Sequence, residues 1–201
     1  MRREIFQLFL CLCILECWQA KGYAQSLTAA PDGTGTQVVP NGSQLTIQGG
    51  TQANQNLFHS FQQFNVAPNQ VANFLASPGI RNILSRVVGG SPSYIEGLIQ
   101  VTGSNANLFL MNPAGIVFGA GAGLNVPASF TATTANAIAI GDSWFNASGT
   151  NQYNRLTGTP NGFAFLTNQP GSIINAGNLA VNPGQTLALV GGTVINTGTL
   201  S

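Results

Sequence analysis

The amino-acid sequence predicts an all-β protein built as a parallel β-helix, in which short strands and turns coil around one apolar core. From Gln25 onward no run of residues has helical periodicity, and Gly, Pro or Asn interrupts the chain nearly every ten residues. Short alternating segments recur instead. Their apolar positions lie eight or nine residues apart, at Ile99, Leu108, Ile116 and Leu124. Such regular spacing favours successive coils over a β-sandwich.

An internal repeat further along the chain also supports a β-helix. Residues 172–179 match residues 193–200 at an offset of 21 residues. The matched pairs are Ile173 with Val194, Asn175 with Asn196, Gly177 with Gly198, and Leu179 with Leu200. A fixed period of this length is typical of stacked rungs, and strand crossovers are preferentially right-handed. We therefore expect a right-handed coil, with an amide ladder between Asn175 and Asn196.

Two segments depart from the strand pattern. Residues 26–39 are rich in turn residues and lead into the first strands. Residues 142–160 lose the alternation of apolar and polar residues. We interpret the second segment as an excursion from the coil, formed by loops or by an extra-helical hairpin.

Residues 1–24 have the composition of a signal peptide. A basic start at Arg2 and Arg3 is followed by the apolar residues 5–15 and by a cleavage site between Ala24 and Gln25. The apolar stretch is too short to span a bilayer. All three cysteines fall inside this segment, at Cys11, Cys13 and Cys17. The mature chain would therefore contain neither disulfides nor cysteine metal ligands.

The chain after residue 24 carries few charges. Its three arginines, Arg81, Arg86 and Arg155, balance three carboxylates, Asp32, Glu96 and Asp142. So few cations remove the usual electrostatic argument for nucleic acid or anionic membranes as partners. Because the carboxylates are widely separated, the sequence predicts no catalytic residue, no cofactor and no metal site.

His59 is the only histidine, and it alternates with aromatic residues. We expect its side chain to face outward from a strand. The neighbouring Phe58, Phe61 and Phe64 could form a ligand platform, but packing near one end of the coil is the favoured interpretation.

A tight turn between two short apolar strands is the most distinctive local feature. In residues 107–119 (NLFLMNPAGIVFG), Asn112 can cap its own turn, Pro113 fixes the first corner position, and Gly115 tolerates a positive φ. Taken alone, Asn-Pro-x-Gly is ordinary turn chemistry. Its specificity comes from the flanking motifs, which are residues 86–90 (RVVGG), 93–99 (SYIEGLI), 123–126 (GLNV) and 129–135 (SFTATTA).

This series of motifs, over about residues 31–137, resembles the secretion domain of two-partner secretion exoproteins, the filamentous-haemagglutinin N-terminal family. By resemblance, Asn112, Pro113, Gly115 and Ile116 carry the second family motif, Asn-Pro-Asn-Gly-Ile, from which Ala114 departs. A separate motif, Asn-Pro-Asn-Leu, is absent, because residues 105–108 (NANL) lack the proline.

The resemblance implies a non-enzymatic domain of a Gram-negative exoprotein, covering residues 25–201. Such a domain enters the periplasm unfolded through the Sec machinery, and the POTRA domains of a cognate TpsB-type transporter, an Omp85-type barrel, recognise it. The chain then folds outside as a β-helix, with residues 26–39 helping to form N-terminal capping strands. Recognition by strand addition suits an unfolded chain with free N–H and C=O groups. The expected location is the cell surface or the medium.

Two other functions remain open at this point. The chain could be a short surface or matrix β-helix that acts as an adhesin or structural module, or, as a more distant alternative, an enzyme of the polysaccharide-lyase type. The last rung ends without a capping segment, so we expect either a truncated exoprotein or a stand-alone domain. A downstream stalk would be the part that contacts host or cell-surface ligands.

Overall fold

The computed structural model describes residues 27–201. The predicted signal peptide, with its cleavage site between Ala24 and Gln25, lies outside the described residues. Within them the chain forms β-strands and one short 3₁₀ helix at Tyr153–Arg155. The strands are β1 (Leu27–Ala29), β2 (Thr36–Asn41), β3 (Gln44–Gly49), β4 (Thr51–Ala53), β5 (Asn56–Phe64), β6 (Val71–Leu75), β7 (Asn82–Val87), β8 (Ser93–Ile95), β9 (Leu98–Thr102), β10 (Asn107–Met111), β11 (Ile116–Phe118), β12 (Gly123–Asn125), β13 (Phe130–Thr133), β14 (Ala137–Ile140), β15 (Ser143–Asn146), β16 (Pro160–Ala164), β17 (Ser172–Asn175), β18 (Asn178–Leu179), β19 (Leu187–Val190), β20 (Thr193–Asn196) and β21 (Thr199–Leu200). The all-β prediction is confirmed over this range.

Three sheets contain most of the strands, and their internal pairings are mainly parallel. We call them sheet A (β1-β5-β7-β10-β13-β19, with β4 on β5), sheet B (β12-β9-β6-β3-β2) and sheet C (β20-β17-β11-β8). From β7 to β12 the chain visits sheets A, C and B in turn, and then repeats that order. We call each such passage a rung. Strands of one rung pair in parallel with those of the next, as β7 does with β10 and β8 with β11.

The main core lies between the three sheets. The apolar residues whose spacing first indicated a coil fall on four successive strands, and three of them, Ile99, Leu108 and Ile116, are at most 1% exposed. Phe118 and Phe130 pack edge to face in the same core, with ring centroids 6.2 Å apart. The eight- to nine-residue spacing therefore marks inward positions on successive strands.

The two units of the predicted internal repeat pair with each other in register. Strand β17 pairs in parallel with β20 and β18 with β21, so that Ile173 faces Val194 and Leu179 faces Leu200. The amide of Asn175 donates to the side-chain oxygen of Asn196 at 2.7 Å, which confirms the predicted ladder. A side chain at Gly198 would collide with the backbone oxygen of Gly177 in the preceding rung. The close stacking of rungs explains why glycine recurs at this corner.

Antiparallel strands occupy the N-terminal side of the sheets. Strand β1 pairs with β5 and β2 pairs with β3, both antiparallel, in contrast to the parallel strands that follow. These strands cover sheet edges that would otherwise present unpaired backbone groups.

The predicted excursion is a separate antiparallel sheet, in the order β15-β14-β16. It is longer than the sequence indicated, because regular pairing begins at Ala137 and ends at Ala164. A second apolar cluster joins the excursion to the outer face of sheet A, and it includes Phe145, Ile138, Phe58, Leu84 and Met111. We call residues 137–164 the excursion.

The outward orientation predicted for His59 is wrong. Its side chain is 0% exposed and lies 5.7 Å from the Phe74 ring, between ring centroids. Strand β5 is covered on both faces, so polar–apolar alternation is lost there. The packing predicted for Phe58, Phe61 and Phe64 is observed, since all three are at most 1% exposed. Phe58, however, belongs to the cluster under the excursion rather than to the main core.

No helix within residues 27–201 has both the length and the apolar character needed to cross a membrane.

Candidate functional site

The Asn112–Gly115 turn connects β10 of sheet A to β11 of sheet C, so it forms a corner of one rung. Its backbone closes through a hydrogen bond from the Gly115 N–H to the Asn112 carbonyl at 3.1 Å. Gly115 has a φ of +123°, a conformation that side-chain-bearing residues rarely adopt. The predicted turn is therefore present, and glycine is required there by backbone conformation.

The Asn112 side chain is fully buried, and its amide is used within the fold. Its oxygen accepts from the Ala114 N–H at 3.0 Å, which is the predicted cap of its own turn. Its nitrogen donates to the Ser91 carbonyl and to the Ser93 hydroxyl, both at 3.0 Å. These two acceptors belong to the preceding rung. Asn112 thus shapes its turn and also fixes that turn to its neighbour.

The following rung closes over the other side of the turn. A side chain at Gly171 would collide with the Pro113 carbonyl, and one at Gly115 would come within 3.2 Å of the Ser172 carbonyl. Ile116, the last residue of the motif, is 0% exposed in the main core. Only Pro113 and Ala114 retain partial exposure. The four motif residues therefore lie together, but of these four only Pro113 is partly accessible to solvent.

A small cleft borders this corner. It has a volume of about 180 Å³, and its wall includes Pro113, Ala114 and Asn136 together with Ala147 and Ser148 of the excursion. Its wall contains no ionisable side chain, so neutral contacts are the chemistry that it offers.

The residues 105–108, which resemble the missing motif, have a structural role that the sequence did not reveal. Asn107 donates its amide to Asn82 at 2.9 Å, and Asn82 donates to Asn56 at 2.8 Å. Asn56 in turn donates to the carbonyls of Leu156 and Gly158, each at 2.8 Å. This asparagine row crosses three strands of sheet A and ends on the excursion. In the sequence, the only sign of this row is a set of asparagines spaced 26 and 25 residues apart. These intervals are longer than the 21 residues of the recognised repeat.

The carboxylates do not converge on a catalytic arrangement. Asp32 pairs with Arg86, Glu96 lies against Gly119, and Asp142 lies in the turn between β14 and β15. Within residues 27–201 no three His, Cys, Asp or Glu side chains come close enough to hold a metal ion. The three carboxylates therefore lie at three separate places in the fold.

Comparisons with known proteins returned a matching family and similar solved structures. The model of the TPS secretion domain family matches residues 25–201. Among solved structures, the crystal structure of the HMW1 secretion domain from Haemophilus influenzae is similar, with a TM-score of 0.64 and 23% sequence identity. The match covers 87% of this chain and 42% of that one, so this chain spans less than half of the matched chain's length. The search of curated proteins returned no match.

Proposed function

Because this chain belongs to the TPS secretion domain family, we propose that it is the exported secretion domain of a two-partner secretion exoprotein. Its partner is a cognate outer-membrane transporter of the Omp85 type, whose POTRA domains recognise the chain in the periplasm. Residues 1–24 direct the chain to the Sec machinery, and cleavage after Ala24 leaves Gln25 as the first residue. The domain then folds at the cell surface as a right-handed parallel β-helix, and the protein is secreted or stays at the surface.

The observation that carries the proposal is how completely the Asn112 motif is enclosed in the folded domain. The side-chain amide of Asn112 contacts residues 91, 93 and 114, and none of its surface is open. A transporter therefore has access to Asn112 only before the rungs stack. Export of an unfolded chain requires this order, in which recognition comes before folding.

The backbone supports the same order of events. Strands β7 to β13 pair with strands from other rungs, so their N–H and C=O groups are unpaired until several rungs have emerged. An unfolded chain presents these groups for strand addition to a POTRA domain. A nearly neutral chain suits recognition through the main chain rather than through charge.

Coexpression with the cognate transporter tests the proposal, with the amount of protein in the medium as the readout. Asn112→Ala is the test variant, and Asn175→Ala is its matched control. Asn175 is equally buried, caps a turn through the Gly177 N–H, and donates to Asn196. Both variants lose a buried, satisfied amide, which costs about 1–3 kcal/mol.

We expect Asn112→Ala to lower secretion at limiting transporter, and Asn175→Ala to leave it close to the unmodified level. Equal loss in the two variants would assign Asn112 a purely structural role. Unchanged secretion in cells that lack the transporter would overturn the proposed function itself.

A further inference from the structure

The excursion carries a pocket that the secretion motif does not use. The pocket has a volume of about 260 Å³, and its wall includes Trp144, Asn146, Thr150, Gln152 and Arg155. Trp144 and Asn146 alternate with the buried Phe145 along β15, and the wall also includes Ser143 and the buried Leu156. We propose that this pocket binds a pyranose ring bearing a carboxylate, such as a uronic acid residue of a polysaccharide.

The first argument is the uncovered indole of Trp144. Its side chain is 47% exposed, although tryptophan buries a large apolar area when packing is available. The cross-strand neighbour of Trp144 is Ala139, and the neighbour beyond it is Gly162. Neither can extend over an indole ring. A flat apolar surface with an N–H at its edge is left open, and it suits the C–H face of a sugar ring.

The second argument is the set of polar groups around the indole. Asn146 and Gln152 offer amides, Thr150 offers a hydroxyl, and Arg155 offers a fork of N–H donors. Ligand sites usually combine an apolar wall with a few convergent polar groups. The volume is below the range of about 300–1,000 Å³ that is common for drug-sized ligands, so a single sugar ring is the appropriate size.

The positive charge of Arg155 favours an acidic sugar over a neutral one. The ion pair formed within residues 27–201 is that of Arg86 with Asp32, which leaves the guanidinium of Arg155 without a carboxylate partner. Asp142 precedes the pocket in sequence but is not part of its wall. Guanidinium groups bind carboxylates through two parallel hydrogen bonds. A uronate is therefore favoured over the corresponding neutral sugar.

The frame of the pocket is well supported by the fold. Asn151 accepts from the Asn146 N–H at 2.8 Å and donates to the Asn146 carbonyl at 3.0 Å, which closes the loop after β15. Tyr153 packs on Phe58 with ring centroids 5.1 Å apart, so the 3₁₀ helix that carries Arg155 is anchored to sheet A. A site built on such supported elements needs little ordering when a ligand binds.

Fluorescence titration tests the proposal directly, because the sequence contains two tryptophans, Trp18 and Trp144. Cleavage after Ala24 would remove Trp18, and Trp18→Phe removes this indole from any uncleaved protein, so Trp144 is the sole indole reporter. The probes are tetragalacturonate and its neutral counterpart, a galactose tetramer. We expect a saturable change in Trp144 emission with tetragalacturonate and a weaker response to the neutral tetramer.

Variants at exposed positions separate the site from unspecific binding. By calorimetry, Trp144→Ala should abolish binding and Trp144→Tyr should retain weaker binding, whereas Leu166→Ala, which removes another exposed apolar side chain, should have no effect. Arg155→Gln should weaken tetragalacturonate binding by about tenfold or more, since hydrogen bonds to charged groups contribute that much. Arg81→Gln, at an exposed arginine outside the pocket, is the charge control.

Three results would overturn the inference. They are the absence of a saturable response, full binding by Trp144→Ala, and equal affinities for the acidic and neutral tetramers. Secretion of the Trp144 variants should be normal, so failure of this inference is distinguishable from failure of the proposed function.

Discussion

Arg86 and Asp32 form an ion pair of 2.8 Å that joins residues 27–41, which we call the N-terminal cap, to β7 of sheet A. The Arg86 side chain is 4% exposed and that of Asp32 is 24% exposed. Arg86 also donates to the Ser60 hydroxyl at 3.1 Å and to the carbonyls of Asn146 and Gly149, both at 2.9 Å. One buried cation thereby connects the cap, two strands of sheet A and the excursion.

Removal of this cation should loosen the cap and the excursion together. Arg86→Met keeps much of the side-chain length but loses every one of these hydrogen bonds, and we expect it to lower the free energy of unfolding by about 3–5 kcal/mol. Urea unfolding measures the loss. Hydrogen exchange should show faster exchange in residues 27–36 and 143–149, with little change in β17 and β20.

Asp32→Asn is the milder companion variant. It leaves the charge of Arg86 without its partner, but part of Asp32 is in contact with water, so the expected loss is about 1–3 kcal/mol. An Arg86→Met protein whose excursion kept its protection would show that the apolar cluster under the excursion is sufficient to hold it.

The pH dependence of stability should reflect His59. Burial lowers the pKa of His59 to about 4, its Nδ1 lies 3.3 Å from the Thr36 hydroxyl, and its Nε2 has no partner within the described residues. The unfolded chain binds a proton near pH 6.5, whereas the folded protein resists protonation until about pH 4. Stability is therefore fully present above about pH 6.5 and falls as the pH decreases towards 4.

The magnitude of this effect is at most about 3 kcal/mol, because each unit of pKa corresponds to about 1.4 kcal/mol. Urea midpoints at pH 7 and pH 4.5 measure it, and His59→Phe is the control that should remove most of the difference.

Acid also begins to protonate Asp32, but only at lower pH. Burial raises the pKa of Asp32, while hydrogen bonds from the Ser60 and Thr34 hydroxyls, the Thr34 N–H and Arg86 outweigh it and set the pKa to about 2.

Gly115→Val should destabilise the turn at the secretion motif. A φ of +123° is strained for a β-branched residue, and its Cβ would lie 3.2 Å from the Ser172 carbonyl. We expect a loss of about 1–3 kcal/mol in the free energy of unfolding. Gly123→Val is a suitable control, since φ is not positive there and the nearest contact of an added Cβ is an ordinary 3.6 Å from Leu98. Equal losses in the two variants would argue against backbone strain at Gly115.

The parts of the fold that recur at short, equal intervals were predictable from the sequence. The pairing of Asn175 with Asn196 follows from a repeat of 21 residues, and the turn at Asn112 follows from local backbone chemistry. Both depend on residues close in sequence or on a fixed period. The handedness of the coil and the role of the motif in recognition stay predictions.

The parts that depend on long-range contacts were not predictable in the same way. Asp32 accepts two hydrogen bonds from Thr34 within its own turn, but its ion pair with Arg86, 54 residues away, could not be found from local sequence. His59 was expected to face outward because it alternates with aromatic residues, but alternation carries no information where both faces of a strand are covered. The row of Asn56, Asn82 and Asn107 was missed because its intervals differ from the recognised repeat.

Removal of residues 192–201 tests whether the rungs are independent. These residues contain β20 and β21, which pair with β17 and β18 alone among the described strands. Deletion should expose Ile173 and Leu179, now both 0% exposed, at a cost of about 2 kcal/mol for each side chain uncovered. Since each rung packs mainly on its neighbours, the loss should remain local. In hydrogen exchange, β10 and β11 should keep their protection, while β17 and β18 lose part of theirs. Collapse of protection across Leu108 and Phe118 would instead show that the last rung belongs to one cooperative core.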